Sequence, residues 1–165
     1  MHDLAQHARR GLLDDPQLEE PVVDHDAGAG IDVLLGGLGN DTLSAGNGRS
    51  ILIGVEGQDV LQGSTVESIF IGGTTAYDNN DAALMAIVSE WGSGRTFANR
   101  VNRLRNGVGR DGSILLALET TVFDDLVQDR MIGGRAKEWF LGFGSDSVEQ
   151  PGTGDVTGAS RAVKR

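Results

Sequence analysis

Cysteine is absent, so no disulfide can hold the fold and none reports the redox compartment. Aromatic residues make up 5% of the 165 positions and hydrophobic residues 39%, which suits one domain with a thin core. Positive charge is scarce: 14 Lys and Arg against 24 Asp and Glu leave a net charge of −10. Such a chain gains little by counterion release on duplex nucleic acid or by attraction to an anionic membrane, so cations are its natural partners. No stretch approaches the roughly 20 apolar residues of a membrane span. The start, MHDLAQHARRGLLDDP, has no apolar run of signal-peptide length. Neither G-x-S-x-G, nor a phosphate loop, nor H-E-x-x-H occurs, and His2, His7 and His25 lack ligand spacing. The chain is therefore expected to be no enzyme.

Glycine is what the chain has in excess, 25 of 165 residues, and in a non-collagen sequence it marks tight turns at fixed places. Residues 36–44 read Gly-Gly-Leu-Gly-Asn-Asp-Thr-Leu-Ser, and the same nine-residue beat runs on both sides. Counted from Ala27, the units are AGAGIDVLL, GGLGNDTLS, AGNGRSILI, GVEGQDVLQ and GSTVESIFI, ending at Ile71 without a gap. The eighth place is always apolar: Leu34, Leu43, Leu52, Leu61 and Phe70. The sixth holds Asp32, Asp41, Ser50, Asp59 and Ser68. Six glycine-rich residues can turn the chain sharply, and the next three, polar, apolar, polar, can form a minimal strand. Two units then make one coil. Stacked coils put each unit above the next but one, with strands about 4.8 Å apart and eighth-place side chains inward.

Five segments follow. Residues 1–26 read as a loose lead-in, with a short helix before Pro16, and 27–73 are the repeat block. Residues 74–123 are a helical insertion. There Asn80 or Asp81 can cap a helix with Leu84, Ile87, Val88 and Trp91 on one face, stopped by Gly92 and Gly94. A second helix starts near Thr96, with Phe97, Val101 and Leu104 on one face and Gly107 as its stop. Ile114–Leu118 and Thr121–Phe123 are expected to be extended. Residues 124–150 resume the beat in degraded form, DDLVQDRMI, GGRAKEWFL and GFGSDSVEQ, with Met131, Phe140 and Val148 read as the apolar eighth place. Residues 151–165 read as a loose tail. In the odd units the residues flanking the inward position are apolar: Val33 and Leu35, Ile51 and Ile53, Ile69 and Ile71. In the even units they are Thr42 and Ser44, Val60 and Gln62. A strand apolar on both faces is covered on both, which predicts that the first helix lies on the odd sheet and that the other sheet is wet. The same rule makes Trp139 and Leu141 odd and Arg130 even, so Asp129 should stack beyond Asp59.

The G-G-x-G-x-D-x-U-x unit resembles the hemolysin-type calcium-binding repeat, the RTX family, closely over 27–73 and loosely over 124–150. The resemblance implies a mainly β protein, a parallel β-roll with an inserted helical segment. It implies Ca²⁺ between stacked turns, bound by sixth-place Asp and by carbonyls near the glycines. A hard cation of this kind accepts six to eight oxygens from carboxylates and carbonyls alike. Carried onto this chain, the first site pairs Asp41 with Asp59, with Gly36, Gly37, Gly39, Gly54 and Gly57 supplying carbonyls. On the opposite edge Asp32 meets Ser50 in a weak or empty site. A second site is expected between Asp59 and Asp129, although Asp124–Val127 lack the glycines that would supply its carbonyls. The function so implied is calcium binding by a non-enzymatic structural or adhesive module of a secreted or cell-surface bacterial protein. The alternative is an accessory domain of an extracellular hydrolase or lyase whose catalytic unit lies outside this chain.

Arg95, Arg100, Arg103, Arg105 and Arg110 make part of the insertion basic. They read as a solvated face or as internal partners of the acidic edge, with docking of an acidic glycan or protein through Arg100 and Arg103 as a further reading. Asp124 and Asp125 read as a turn rather than an acid/base pair, and Trp91 and Trp139 as core.

Overall fold

The computed structural model describes residues 6–10 and 24–159. Over the first half the chain lays down seven strands: β1 (Gln6–Arg10), β2 (Asp24–Asp26), β3 (Ile31–Leu38), β4 (Thr42–Ser44), β5 (Arg49–Glu56), β6 (Val60–Gln62) and β7 (Ser68–Ile71). Odd-numbered strands pair in parallel in a first sheet and even-numbered ones in a second. The insertion brings β8 (Thr74–Thr75), helices α1 (Asp81–Trp91) and α2 (Phe97–Asn106), and β9 (Val122–Phe123), which pairs antiparallel with β8. The alternation then resumes: β10 (Arg130–Ile132) joins the second sheet, β11 (Glu138–Gly142) the first, β12 (Ser147–Glu149) the second and β13 (Val156–Ala159) the first. The described residues form a mainly β fold of two parallel sheets with two helices.

Register follows the nonad. Leu34 stands beside Leu52 and Leu52 beside Phe70, while Leu43 stands beside Leu61 and Leu61 beside Met131. A one-residue slip would turn the apolar set outward, so the pattern enforces the pairing. Leu34, Leu43, Leu52, Leu61, Phe70, Met131 and Phe140 are fully buried in one cluster shared by the two sheets. Phe70 and Phe140 stack with ring centroids 5.0 Å apart.

A second cluster lies on the outer face of the first sheet. Val33, Leu35, Ile51, Ile53, Ile69, Ile71, Trp139 and Leu141 meet Leu84, Ile87, Val88 and Trp91 of α1 and Phe97, Val101 and Leu104 of α2. Asn80 caps α1 by accepting from the Ala83 N–H, Thr96 caps α2 from the Asn99 N–H, and Gly92 and Gly107 end them. The outward residues of the second sheet, such as Thr42, Gln62 and Arg130, stay partly or fully exposed.

Five expectations need correction. In the lead-in, Gln6–Arg10 is a strand beside β3 rather than a helix, and Asp24–Asp26 is a strand beside β4; residues 11–23 lie outside the described residues. Ile114–Leu118 forms no strand: Ile114 makes one antiparallel bridge to Val108 and Leu118 one parallel bridge to Val122. In the expected tail, Val156–Ala159 pairs with β11, because Asp155 Oδ1 accepts from the Glu138 N–H at 2.9 Å and sets Val156 beside Trp139. The rest of the tail, 160–165, lies outside the described residues. Finally, the insertion splits a unit instead of falling between two. The Gly73 carbonyl accepts from the Val55 N–H at 3.4 Å, and a methyl group on Gly73 would lie 3.2 Å from the Asp125 nitrogen. Gly72 and Gly73 are thus the first two places of a unit that Leu126–Ile132 completes, which moves the end of the insertion from Phe123 to Asp125. The last unit is one residue short: Val148 stands one place early by strict count yet pairs with Met131.

Candidate metal centre

Asp41, Asp59 and Asp129 stand one above another in successive turns along one edge, each just before its strand in the second sheet. All are almost completely buried, at 1%, 0% and 0% exposure. Their spacing comes from backbone capping. Asp59 Oδ1 accepts from the Asp41 N–H at 2.8 Å, Asp129 Oδ1 from the Asp59 N–H at 2.8 Å, and Asp146 Oδ1 from the Asp129 N–H at 3.0 Å. One oxygen each of Asp59, Asp129 and Asp146 therefore ties its turn to the one before it. The other oxygens of Asp59 and Asp129 are buried and have no hydrogen-bond partner among the described residues.

The first-place glycines form a second column against these oxygens. A methyl group on Gly36 would lie 2.5 Å from the Gly54 carbonyl oxygen and 2.7 Å from Asp41 Oδ2. On Gly54 it would overlap Asp59 Oδ2 and lie 2.9 Å from the Gly72 carbonyl oxygen. On Gly72 it would lie 2.8 Å from Asp129 Oδ2 and 2.7 Å from Asp146 Oδ2. Missing side chains thus leave cradles into which carbonyl and carboxylate oxygens project. The other predicted glycines shape the turn: Gly37, Gly39 and Gly57 have φ of 109°, 102° and 126°, which side-chain-bearing residues rarely adopt. Val55, at the place that Gly37 and Gly73 hold in neighbouring units, is forced to φ 82°.

Burial raises the Asp59 carboxyl to about 7, with the Asp41 and Asp125 charges adding and the Asp41 N–H opposing. Asp129 is raised to about 8, again mainly by burial, with Asp146, Asp59 and Asp125 adding and the Asp59 N–H opposing. Asp146 is raised by burial too. These groups resist ionising side by side, and a cation placed among them would favour their ionised form. Among the described residues no three carboxylate or imidazole groups converge on one point. A cation would take one or two carboxylates and complete its shell with carbonyls and water. That donor set and the cradles fit Ca²⁺.

Asp32 is not part of this column. It stands on the opposite edge beside Ser50, which is followed by Ser68 and Glu138. Asp124 and Asp125 make a turn: their Oδ1 atoms accept from the Leu126 and Val127 N–H groups at 2.9 and 3.1 Å, and Asp125 Oδ2 accepts from the Gly57 N–H at 2.9 Å. Sequence reasoning missed two members of the column, Gly72 and Asp146, and on the opposite edge Glu138. Continuation of the beat into Gly72-Gly73 could have shown the first. The second hides behind the missing residue of the last unit, which makes the Asp129 to Asp146 step 17 instead of 18. Burial raises Glu138 to about 7, opposed by the Gly134 N–H.

Of the two arginines read as a docking pair, Arg100 is removed from that role by burial. Arg100 is 1% exposed, pairs with Glu67, donates to the Arg95 carbonyl and lies over the Trp91 ring at 4.9 Å. Arg103 is 48% exposed but pairs with Glu90 at 2.9 Å. With Arg49, which bonds Glu67 and the Gly92 and Ser93 carbonyls, Arg100 clamps the helices to the sheet. Comparison of the chain with protein families, curated proteins and solved structures finds no match.

Proposed function

We propose that the two parallel sheets are the walls of a parallel β-roll whose acidic edge binds Ca²⁺, and that the protein is a non-enzymatic, calcium-stabilised structural or adhesive module. The observation that carries this reading is the buried column Asp41, Asp59, Asp129, whose unbonded oxygens at Asp59 and Asp129 face glycine cradles. Asp41, Asp59 and Asp129 would supply the carboxylates, and Gly36, Gly37, Gly39, Gly54 and Gly57 the neighbouring carbonyls. Two carboxylates about 5 Å apart at an effective dielectric of 20 repel by roughly 3 kcal/mol. A cation removes that repulsion, so binding energy becomes folding energy. Extracellular calcium modules work at Kd of about 10⁻⁴ to 10⁻³ M, which fits a secreted or cell-surface location.

The test separates cation binding from capping. Asp59→Asn keeps an oxygen for the Asp41 N–H and removes the charge. In calorimetric titration and thermal melts, wild type should show a calcium-dependent rise in midpoint, and Asp59→Asn and Asp129→Asn should each lose most of it. Their stability in chelator should be unchanged or higher. Undiminished calcium responses in both variants would refute the assignment.

A further inference from the structure

The molecule carries two apolar surfaces of opposite charge, one at each edge, and we propose that they dock onto one another between copies of this chain, head to tail. This does not rest on the calcium reading.

The first surface is a knob. Leu126 is 84% exposed, the most exposed large hydrophobic side chain among the described residues, and Phe123 and Val127 beside it are exposed as well. An apolar side chain held in water at a turn is costly, and this one also has φ 69°. The turn is rigid: Asp124 and Asp125 accept from the Leu126 and Val127 N–H groups, and Asp125 is anchored to Gly57. Asp124 and Asp125 place negative charge in the same turn, and with Glu56 they line a pocket that Val127 borders.

The second surface is a groove of about 320 Å³ between α2 and the edge of the first sheet. Phe97, Ala98, Val101 and Val156 line it, Arg105 and Lys137 supply its charge, and among the described residues no carboxylate does. Lys137 precedes β11 on the edge opposite to the turn that carries Leu126 before β10. The groove accommodates a leucine side chain, and its two cations match the negative charge of the knob's turn. Because the surfaces sit on opposite edges, one copy cannot satisfy both of its own. The contact is heterologous and repeats from copy to copy, and the pre-organised turn lowers the ordering cost of association.

The experiment is sedimentation equilibrium at low ionic strength on wild type, Leu126→Asp and Ala98→Glu. Aspartate tolerates the left-handed backbone at position 126, and glutamate in the first turn of α2 suits both helix and dipole, so far-ultraviolet dichroism should stay as in wild type. The apparent mass of wild type should rise with concentration beyond two chains, while each variant alone stays at one. An equimolar mixture should form a two-chain species and nothing larger, because each variant keeps the surface the other has lost. Wild type that remains at one chain up to millimolar concentration, a variant that still self-associates like wild type, or a mixture that stays at one chain would each overturn the proposal.

Discussion

At the scale of single residues, glycine acts in two distinct ways along the acidic edge. Gly54 is needed for the space beside it, since a methyl group there would overlap Asp59 Oδ2. Gly37 is needed for its backbone angle, with φ 109° and nothing within 4 Å of an added methyl group. The two should separate on substitution to alanine. Gly54→Ala should cost roughly 1 to 3 kcal/mol through overpacking and abolish the calcium-dependent rise in midpoint. Gly37→Ala should cost about 1 to 2 kcal/mol of left-handed strain and keep that rise. Urea titrations with and without calcium read both. The glycines themselves were legible in the sequence as a period. Which of them face a carboxylate was not, because first, second and fourth places look alike until the turn is built.

At the scale of elements, the insertion is where local reading worked best and where it failed. Helix limits followed from caps and apolar spacing, since Asn80, Thr96, Gly92 and Gly107 act within one turn of their own helix. The point of insertion did not, because Gly72-Gly73 and Leu126–Ile132 belong to one unit only in space. Arg100→Glu should destabilise by about 3 to 5 kcal/mol, as expected for breaking a buried pair, and should alter Trp91 fluorescence. Arg103→Glu, largely in solvent, should cost less, of the order of 1 kcal/mol; thermal melts compare them. Joining Gly73 directly to Leu126 restores an unbroken unit, GGLVQDRMI, but uncovers Val33, Ile51, Ile69 and their neighbours on the first sheet. That deletion should yield insoluble protein, and polar replacements at those outward positions should recover it, as read by soluble yield.

At the scale of the whole molecule, buried acids govern how stability responds to pH. Asp59, Asp129 and Glu138 are raised to about 7, 8 and 7 from ordinary values of 3.8, 3.8 and 4.5. Between those limits the folded state holds protons that the unfolded chain has released, so stability falls as pH rises. In chelator the midpoint should therefore drop steadily from about pH 5 to pH 8, by roughly 3 to 5 °C for each pKa unit that titrates. On the proposed calcium binding, the drop with calcium present should be much shallower, because a bound cation would stabilise the ionised carboxylates. Melts across that range check the sign, and a midpoint that climbs from pH 5 to 8 in chelator would contradict it.

The sequence by itself determined the period, the inward residue of each strand in the unbroken repeat block and the sheet that needed covering, because a nine-residue beat with one unfailing apolar place buries its side chains in only one register. Tertiary structure alone decided which distant halves complete the split unit. It also decided that Asp146 and Asp155 continue the columns after a lost residue and that Arg100 is a clamp rather than a docking charge. Those outcomes depend on which backbone groups and carboxylates meet across residues far apart in the chain, and no local spacing encodes that.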